Sequence, residues 1–260
     1  MLERFSLSDK VVLVTGAGRG IGAATARAAA EAGADVALCA RTVENLDEVA
    51  ADVRAAGRQA LVFPADVNDL EQLAAFVDAS VAELGGVDVV VNNAGGTMPR
   101  PFLDTSPGFL ERSFHFNVTT AFALTKAATP HLLERRGSVV NISSAIGRLR
   151  DRGFVAYGTA KAALTHMTRL LAADLAPRVR VNAIAVGSTA TSALEVVLEN
   201  DELHDEMVRR TPLQRLGDPS DIALGAIFLA SPASSWITGK VLEIDGGLEE
   251  ANLALGLPDL

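Results

Sequence analysis

Residues 10–22, KVVLVTGAGRGIG, place a run of β-branched residues directly before a turn that holds four glycines. The apolar run predicts a buried parallel strand, and the alanine-rich residues that follow predict a helix ending at Gly33. Glycines let the backbone come close to a pyrophosphate, and the free N–H groups of a helix N-terminus bind anions. The order of strand, glycine turn and helix therefore predicts a dinucleotide site at the carboxyl edge of a sheet.

Segments typical of strands and of helices alternate along the rest of the chain. Strands are predicted at residues 35–40, 59–66, 87–95, 137–144, 178–187 and 240–247, and helices at residues 43–57, 69–86, 107–134, 155–176 and 219–230. Such alternation requires right-handed crossovers between parallel strands. We expect an α/β protein of three layers: a doubly wound Rossmann fold, forming a single domain over residues 1–260, with about seven parallel strands and helices on both faces.

Two stretches depart from this alternation. Residues 188–212 form a connection that is longer than usual, polar at its start and helical later, and we expect them to act as a lid over the site. Residues 248–260 extend beyond the last predicted strand, where they either wrap a neighbouring subunit or fray at the surface. The predicted domain therefore carries a lid and a C-terminal extension.

Composition and charge exclude several classes of protein. A formal net charge of −9 and a pI near 5.0 disfavour nucleic-acid binding, which needs a basic face. The single cysteine, Cys39, excludes an intramolecular disulfide, and the four scattered histidines lack metal-ligand spacing. Because there is no apolar signal core and no uncharged apolar run of about 18 residues, we expect a soluble cytoplasmic protein with no metal site and no membrane contact.

The glycine turn TGAGRGIG, residues 15–22, has the spacing T-G-x-x-x-G-x-G. Further along the chain come NNAG at 92–95, VNAIAVG at 181–187 and ITGKVLEIDGG at 237–247. Together these motifs resemble those of the short-chain dehydrogenase/reductase family, over about residues 8–247. The resemblance implies a Rossmann fold, a nicotinamide cofactor and hydride transfer between a ketone and a secondary alcohol. One departure is Val186, which stands where the family has a proline.

Asn117, Ser144, Tyr157 and Lys161 match the catalytic tetrad of that family. The resemblance implies that Ser144 hydrogen-bonds the substrate oxygen, that Lys161 also holds the ribose hydroxyls, and that Asn117 anchors a water on the proton path. Ser143 is the alternative to Ser144. The family's spacing of 13 residues to the tyrosine selects Ser144, and we expect Ser143 to face the opposite side of its strand.

Tyr157 is the only tyrosine of the chain, and Lys161 follows it by one helical turn on the same face. A phenol has a pKa of about 10, so at neutral pH it is a weak base. We expect the nearby ammonium to lower the pKa of Tyr157, which then exchanges a proton with the substrate oxygen as hydride moves. Taken alone, the two residues are equally compatible with an ordinary helix pair, and it is the other motifs that favour catalysis.

The end of the second strand discriminates between NAD and NADP. An acidic residue there favours NAD, but the chain has Ala40 followed by Arg41, with Arg19 in the glycine turn. Guanidinium groups clasp phosphate, so we expect NADP(H) to be preferred and NAD(H) to be possible, although Arg41 alone has the alternative of a solvated surface residue. The expected cofactor contacts, several from the resemblance, are Gly16, Gly18, Arg19, Gly20, Ile21, Gly22, Arg41, Asp66, Val67, Asn93, Ala94, Gly95, Tyr157, Lys161, Gly187, Thr189 and Thr191.

The expected substrate pocket is mostly apolar and suggests a ketone or secondary alcohol with an aliphatic or alicyclic body. Its wall is expected to include Gly96, Thr97, Met98, Ala145, Ile146, Phe154 and Val186. The leading hypothesis for the substrate is a 3-oxoacyl thioester. The alternatives are a hydroxysteroid or xenobiotic carbonyl compound, or a non-catalytic NADP-binding sensor that performs no turnover.

Arginines carry the predictions about partners. Arg135 and Arg178 match positions through which 3-oxoacyl-carrier-protein reductases dock their acidic partner, although cations at helix C-termini also serve the helix dipole. The run of Arg148, Arg150 and Arg152 either steers an anionic carrier or is a solvated loop. Apolar residues in the helices at 107–134 and 155–176 exceed the needs of one buried stripe, and with the resemblance they predict a homotetramer.

Overall fold

The computed structural model describes residues 2–253, except for the side chains of residues 193, 196 and 197. Within this part of the chain, seven strands form one parallel sheet in the order β3-β2-β1-β4-β5-β6-β7. The strands are β1 (Val11–Thr15), β2 (Asp35–Ala40), β3 (Ala60–Pro64), β4 (Val89–Asn92), β5 (Ser138–Ser144), β6 (Arg180–Val186) and β7 (Val241–Ile244). The predicted doubly wound α/β fold is confirmed.

Helices cover both faces of the sheet. They are α1 (Gly20–Glu31), α2 (Val43–Ala55), α3 (Leu70–Leu84), α4 (Pro107–Phe114), α5 (Thr120–Arg135), α6 (Val155–Leu175), α7 (Glu195–Leu198), α8 (Asp201–Arg209) and α9 (Pro219–Ala230). Helices α1, α2 and α9 pack on one face, and α3, α5 and α6 on the other. None of the helices within residues 2–253 is long and apolar enough to span a membrane.

The core explains why the strands are so rich in valine. Because helices cover both faces, a central strand is buried on each side, and all five residues of β1 are buried. On one face the small side chains of α1, such as Ala26 and Ala29, let α9 pack closely against it. On the other face the fully buried Phe76 of α3 fills the space above β2 and β3. Both layers thus hold the strand ends in fixed positions.

The order of the strands reverses between β1 and β4. Strand β1 pairs with β2 on one side and with β4 on the other, so the connections from these strands leave toward opposite faces of the sheet. The glycine turn follows β1 at its carboxyl end, and NNAG follows β4 at the same edge. This switch point is where open α/β sheets bind ligands.

The helix predicted over residues 107–134 is interrupted, which corrects the sequence-based boundary. Between α4 and α5 the chain forms a π-helical turn, His115–Thr119. Within that turn the Asn117 side chain donates to the Ser113 carbonyl at 2.8 Å, the acceptor that the Asn117 backbone N–H uses in a regular α-helix. The wider turn therefore coincides with a residue of the predicted tetrad.

The stretches predicted as lid and extension contain short, defined elements. Residues 188–212 include a 3₁₀ turn, Ser192–Leu194, followed by α7 and α8. Of the predicted extension, residues 248–253 are described, and residues 254–260 lie outside the described part of the chain. The single-domain organisation, the function of the lid and the role of the extension stay predictions.

Asp88 ties together the edge of the sheet opposite to the switch point. Its side chain is 2% exposed, and its carboxylate accepts hydrogen bonds from the Val11 N–H at 3.1 Å and from Lys10 Nζ at 3.0 Å. Arg135 at the end of α5 approaches the same carboxylate at 3.7 Å. A buried carboxylate is tolerated only when it is hydrogen-bonded in this way. Because these bonds join the start of β1 to the start of β4, they fix the position of the two strands relative to each other.

We expect Asp88→Ala to lower the free energy of unfolding by about 1–3 kcal/mol, because the buried Val11 N–H loses its acceptor and Lys10 its partner. Urea unfolding measures this loss. The matched control is Asp52→Ala, which breaks the exposed 2.6 Å pair with Arg27 and costs less than about 1 kcal/mol. Equal losses in the two variants contradict a structural role for Asp88.

Candidate active site

The glycine turn has a shape that only glycine allows. Gly16 and Gly20 have φ angles of +64° and +54°, which L side chains rarely adopt. A Cβ on Gly22 would overlap the carbonyl oxygen of Gly16, so α1 begins directly against the turn. The N-cap residue of α1, Arg19, makes no capping hydrogen bond with its side chain. The turn is thus a glycine-lined cradle beside uncapped helix N–H groups, which fits the pyrophosphate of a dinucleotide.

Asn93 and Thr15 lock the glycine turn to the end of β4. Asn93 Nδ2 donates to the carbonyl oxygens of Thr15 and Gly16 at 2.9 and 3.2 Å. In return, the Thr15 hydroxyl accepts the N–H groups of Asn93 and Ala94 at 3.1 and 3.0 Å. The sequence reasoning missed Thr15, although the threonine that opens the T-G motif was the available signal. These bonds make the two loops of the switch point one unit.

Gly95 is where three parts of the site converge. A Cβ at this residue would lie 2.8 Å from Asn117 Oδ1 and 3.0 Å from Lys161 Nζ. Asn117 comes from the π turn, and Lys161 comes from α6, where it is 3% exposed and donates to the Ile142 carbonyl at 2.9 Å. The predicted residues Asn117 and Lys161 are therefore brought together across the bare backbone of Gly95.

Ser144 and Tyr157 form the other half of the predicted tetrad. The Ser144 side chain lies close enough to Tyr157 to lower the pKa of the phenol, and Ser144 Oγ accepts the Ile146 N–H at 3.3 Å. Ser143 faces the opposite side of β5 from Ser144. It is buried, and its hydroxyl donates to the Lys161 carbonyl at 3.1 Å. Of the two serines, only Ser144 reaches the phenol.

Burial shifts both titratable groups of the tetrad toward their neutral forms. Desolvation raises the pKa of Tyr157, and the hydrogen bond with Ser144 lowers it by a smaller amount. Desolvation also lowers the pKa of Lys161 to about 8. The expectation that Lys161 lowers the pKa of Tyr157 below its ordinary value is wrong for this chain by itself. The ammonium lies 5.7 Å from the ring centroid, and burial outweighs the influence of that charge.

The residues expected to select the cofactor lie together at the end of β2. Gly18 packs against Ala40 and Asn45, since a Cβ on it would lie 3.7 and 3.0 Å from their Cβ atoms. Arg19 and Arg41 are exposed, and neither guanidinium has a hydrogen bond or ion pair with another described residue. Two free cations thus flank a neutral residue where an acidic one favours NAD.

Asp66 is partly engaged by its own loop. Its Oδ1 accepts the backbone and side-chain N–H groups of Asn68 at 3.0 and 2.9 Å, while Oδ2 has no partner within the described residues. Val67 beside it is buried. One carboxylate oxygen therefore stays available to an external donor such as an amino group.

Val186 has a structural consequence at the place where the family has proline. With a backbone N–H, β6 continues in register with β5 as far as the pair Val186 and Ser144. The chain then turns at Gly187, where a Cβ would lie 2.5 Å from the Cα of Asp245. Beyond the turn, Thr191 reaches the glycine turn, since its Cγ2 lies 3.2 Å from a Cβ built on Gly20. The segment 187–191 thus faces the glycine cradle.

The expected pocket residues differ in what they can offer a substrate. Phe154 lies beside Tyr157, with ring centroids 6.4 Å apart, and Met98 is 72% exposed. Ala145, in contrast, is 3% exposed, so it packs beneath the surface of the expected pocket. Gly96 donates its N–H to Asn117 Oδ1 at 2.8 Å, so its position is fixed by the tetrad itself.

Arg148 lies in a partly exposed turn, but its guanidinium is held by ion pairs within the fold and is therefore not free to steer a carrier. Its guanidinium pairs with Asp245 at 2.8 Å and Glu243 at 3.1 Å, and donates to the Leu248 carbonyl. The segment between Ser144 and Tyr157 is thereby attached to the chain that follows β7.

Asn252, which is 5% exposed, attaches the same C-terminal segment to both ends of the predicted lid. It accepts the Ser188 hydroxyl at 2.7 Å and donates to Thr211 Oγ1 at 2.8 Å. Residues 243–252 therefore form a strap that contacts the segment before Tyr157 and the two ends of residues 188–212.

The two arginines expected to dock an acidic partner differ in availability. Arg135 is engaged within the fold, because its guanidinium donates to the Gly85 carbonyl and approaches Asp88. Arg178 is exposed. Groups of three or more metal-ligating side chains are absent from residues 2–253 as far as their side chains are described.

A family model described as enoyl-(acyl carrier protein) reductase matches residues 16–249. The chain belongs to the short-chain dehydrogenase/reductase family, as its motifs indicated. It is accordingly an oxidoreductase of the class that acts on CH–OH groups, in a family that uses NAD(H) or NADP(H).

Several relatives resemble the chain over nearly its whole length. An uncharacterized oxidoreductase of Mycobacterium tuberculosis is 58% identical over 262 residues, which is 100% of both chains. The 7α-hydroxysteroid dehydrogenase of Escherichia coli is 36% identical over 253 residues, covering 96% of this chain and 98% of the relative.

Solved structures agree with this assignment. A 7α-hydroxysteroid dehydrogenase in complex with NADH and 7-oxo-glycochenodeoxycholic acid superposes with a TM-score of 0.92 at 35% identity, covering 97% of this chain and 98% of the other. A proposed NAD(P)-dependent gluconate 5-dehydrogenase from Beutenbergia cavernae, with NADP bound at low occupancy, has a TM-score of 0.88 at 36% identity and covers 94% and 98%. Neighbours thus carry either cofactor.

The lowered pKa of Lys161 predicts a pH-dependent stability. Between pH 8 and about 10 the folded chain has released the Lys161 proton, while the unfolded chain, with an ordinary pKa of 10.5, retains it. The free energy of unfolding is therefore expected to rise with pH in that window relative to Lys161→Met, which lacks the titrating group. Urea midpoints of both proteins at a series of pH values measure the difference. Parallel curves contradict the shift.

Proposed function

We propose that this chain is an NADP(H)-dependent oxidoreductase that interconverts a ketone and a secondary alcohol, with Tyr157 as the acid/base residue. The observation that carries the proposal is the convergence of Tyr157, Ser144, Asn117 and Lys161 beside the glycine cradle. A cofactor-binding sensor without turnover has no need of this convergence.

In the proposed reduction, Tyr157 donates its proton to the carbonyl oxygen. Burial keeps the phenol protonated at neutral pH, since it raises the pKa of Tyr157. Ser144 donates a second hydrogen bond to the same oxygen, where negative charge develops. The Ser144 and Tyr157 side chains lie near each other, so an oxygen between them meets both donors with little rearrangement.

Lys161 stabilises the phenolate that remains after the proton has left. Its pKa of about 8 keeps most of it charged at neutral pH, and it approaches Gly95 together with Asn117. The Asn117 amide is held by Gly96 and Ser113, so it stays in place beside Lys161. We propose that Asn117 fixes a water that returns a proton to Tyr157 through Lys161.

A nicotinamide cofactor, when bound, supplies or accepts the hydride. Gly16, Gly20 and Gly22 form the cradle for its pyrophosphate, and Thr191 closes against that cradle. The residues proposed to bind the rest of it are Gly18, Ile21, Asp66, Val67, Asn93, Ala94, Gly95, Gly187 and Thr189. Arg19 and Arg41 favour the 2′-phosphate of NADP, because both lie near the neutral Ala40 and neither guanidinium has a partner among residues 2–253.

For the substrate we favour a bulky alicyclic alcohol or ketone over a 3-oxoacyl thioester. Exposed apolar side chains, Met98, Phe102 and Leu103, lie in the segment after β4 and suit a large apolar body. The relatives that act on hydroxysteroids support the same choice. Docking of an acyl carrier protein through Arg135 is disfavoured, since that guanidinium is engaged with Asp88.

The proposed assembly is a homotetramer. Phe122 of α5 is 43% exposed and Leu170 of α6 is 56% exposed, on helices that border a groove of about 320 Å³. A second copy that brings its own α5 and α6 to this face covers those side chains.

Tyr157→Phe is expected to abolish turnover and to leave NADPH binding within about twofold, because the ring and its packing remain while the proton donor is lost. An NADPH-oxidation screen of steroid ketones, diketones and acetoacetyl thioesters, with NADPH titration by fluorescence, measures both properties. Turnover retained by the variant refutes the acid/base role. Absence of turnover by the wild-type chain on every class favours the sensor.

Arg41→Ala is expected to raise the Kd for NADPH by about 10- to 150-fold, equivalent to about 1.5–3 kcal/mol, and to leave the Kd for NADH nearly unchanged. Arg54→Ala is the matched control, since Arg54 lies in the last turn of α2, the helix that follows Arg41, and bonds to the Ala60 carbonyl. Equal weakening of both cofactors by Arg41→Ala rules out a phosphate contact.

A further inference from the structure

A chain of hydroxyl groups connects Asn117 to the first turn of α6, which carries Tyr157. Asn117 Nδ2 donates to Thr97 Oγ1 at 3.2 Å, the Thr97 and Ser113 hydroxyls are 2.7 Å apart, and Ser113 Oγ donates to the Ala156 carbonyl at 3.2 Å. Ser113 and Asn117 are 4% and 1% exposed. The bond from Ser113 to Ala156 is therefore shielded from water, while the two bonds of Thr97 are partly buried.

The Thr97 hydroxyl has two acceptors within reach, the Gly96 carbonyl at 2.6 Å and the Ser113 oxygen at 2.7 Å, so more than one proton order satisfies these side chains. Each hydroxyl has a single proton to donate. In one of these orders Ser113 donates to Ala156, its oxygen accepts from Thr97, and the Thr97 oxygen accepts from the Asn117 amide. The chain ends on a backbone carbonyl, which accepts a hydrogen bond but passes no proton on. Its role is thus to orient groups rather than to conduct protons.

We propose that Ser113 and Thr97 are positioning residues that fix the Asn117 side chain relative to the helical turn of Tyr157. The inference rests on the proposed role of Tyr157. The Ala156 carbonyl belongs to the peptide unit that leads directly into Tyr157, so a hydrogen bond to it restrains the backbone from which the phenol projects.

Asn117 has other hydrogen bonds, but they end outside α6. Its Oδ1 accepts the Gly96 N–H at 2.8 Å, and its Nδ2 donates one proton to the Ser113 carbonyl at 2.8 Å, while the Gly96 carbonyl and Thr97 Oγ1, both at 3.2 Å, share the second proton. These bonds hold the amide to the loop after β4 and to the end of α4. The hydroxyl chain adds the link from this loop to α6, and it consists of side chains that belong to none of the motifs.

The only tyrosine of the chain makes a direct test possible, because any phenolate absorbance on alkaline titration comes from Tyr157. In Ser113→Ala and in Thr97→Val we expect the titration midpoint to fall from its raised value toward about 10, as the loosened turn admits water. With a substrate from the screen, kcat is expected to fall about tenfold while the KM for NADPH stays unchanged. Tyr157→Phe is expected to show no phenolate absorbance, which verifies that the signal comes from Tyr157.

Two controls separate positioning from general stability. Thr97→Ser keeps the hydroxyl and is expected to restore the midpoint and kcat that Thr97→Val loses. Ser80→Ala removes an equally buried hydroxyl, which donates to the Phe76 carbonyl at 2.7 Å in α3, and is expected to lower stability without moving the midpoint. If Ser113→Ala does not fold, as judged by circular dichroism, the two Thr97 variants decide the question.

A wild-type midpoint and kcat in folded Ser113→Ala or Thr97→Val overturn the proposal. The titration needs no turnover, so this result is distinct from failure of the proposed function. That failure is shown by turnover in Tyr157→Phe.

Discussion

The site depends on residue 95 having no side chain. Because Gly95 is bare, Lys161 from α6 and Asn117 from the π turn both reach the same stretch of backbone after β4. Any Cβ there displaces the ends of these two side chains. The backbone of β4 is in turn fixed to β1 by the bonds of Asn93 and Thr15. The close approach at Gly95 thus sets the distance between the cofactor cradle and the candidate catalytic groups.

Short-range patterns in the sequence were sufficient to predict the fold. Strands read as runs of β-branched residues because each is buried on both faces, and the glycine turn stands out because its φ angles require glycine. The members of the candidate tetrad could be named from motif spacing. Their environment could not be predicted in the same way, since burial depends on which helices cover these residues. For this reason the expected direction of the Tyr157 pKa shift is wrong.

Contacts between distant residues account for the remaining errors. Arg148 was interpreted from its charged neighbours, yet its partner Asp245 is 97 residues away, and nothing local indicates such a pair. The π turn could not be predicted from the sequence, for a related reason. An asparagine whose side chain donates to a carbonyl of its own helix cannot be distinguished in the sequence from any other asparagine in a helical segment. Through Arg148 and Asn252, the strap of residues 243–252 is bonded both to the segment between Ser144 and Tyr157 and to residues 188–212. Movement of either segment is therefore restrained by its bonds to the same strap.

Burial of the tetrad favours proton donation over proton abstraction in the chain by itself. The same desolvation that raises the pKa of Tyr157 lowers that of Lys161, so at neutral pH the pair consists of a phenol and an ammonium. An ammonium 5.7 Å from a neutral ring stabilises it little, but it stabilises the phenolate that forms once the proton has moved to a carbonyl oxygen. Lys161 therefore acts on the transition state more than on the ground state, which is the condition for an electrostatic contribution to the rate.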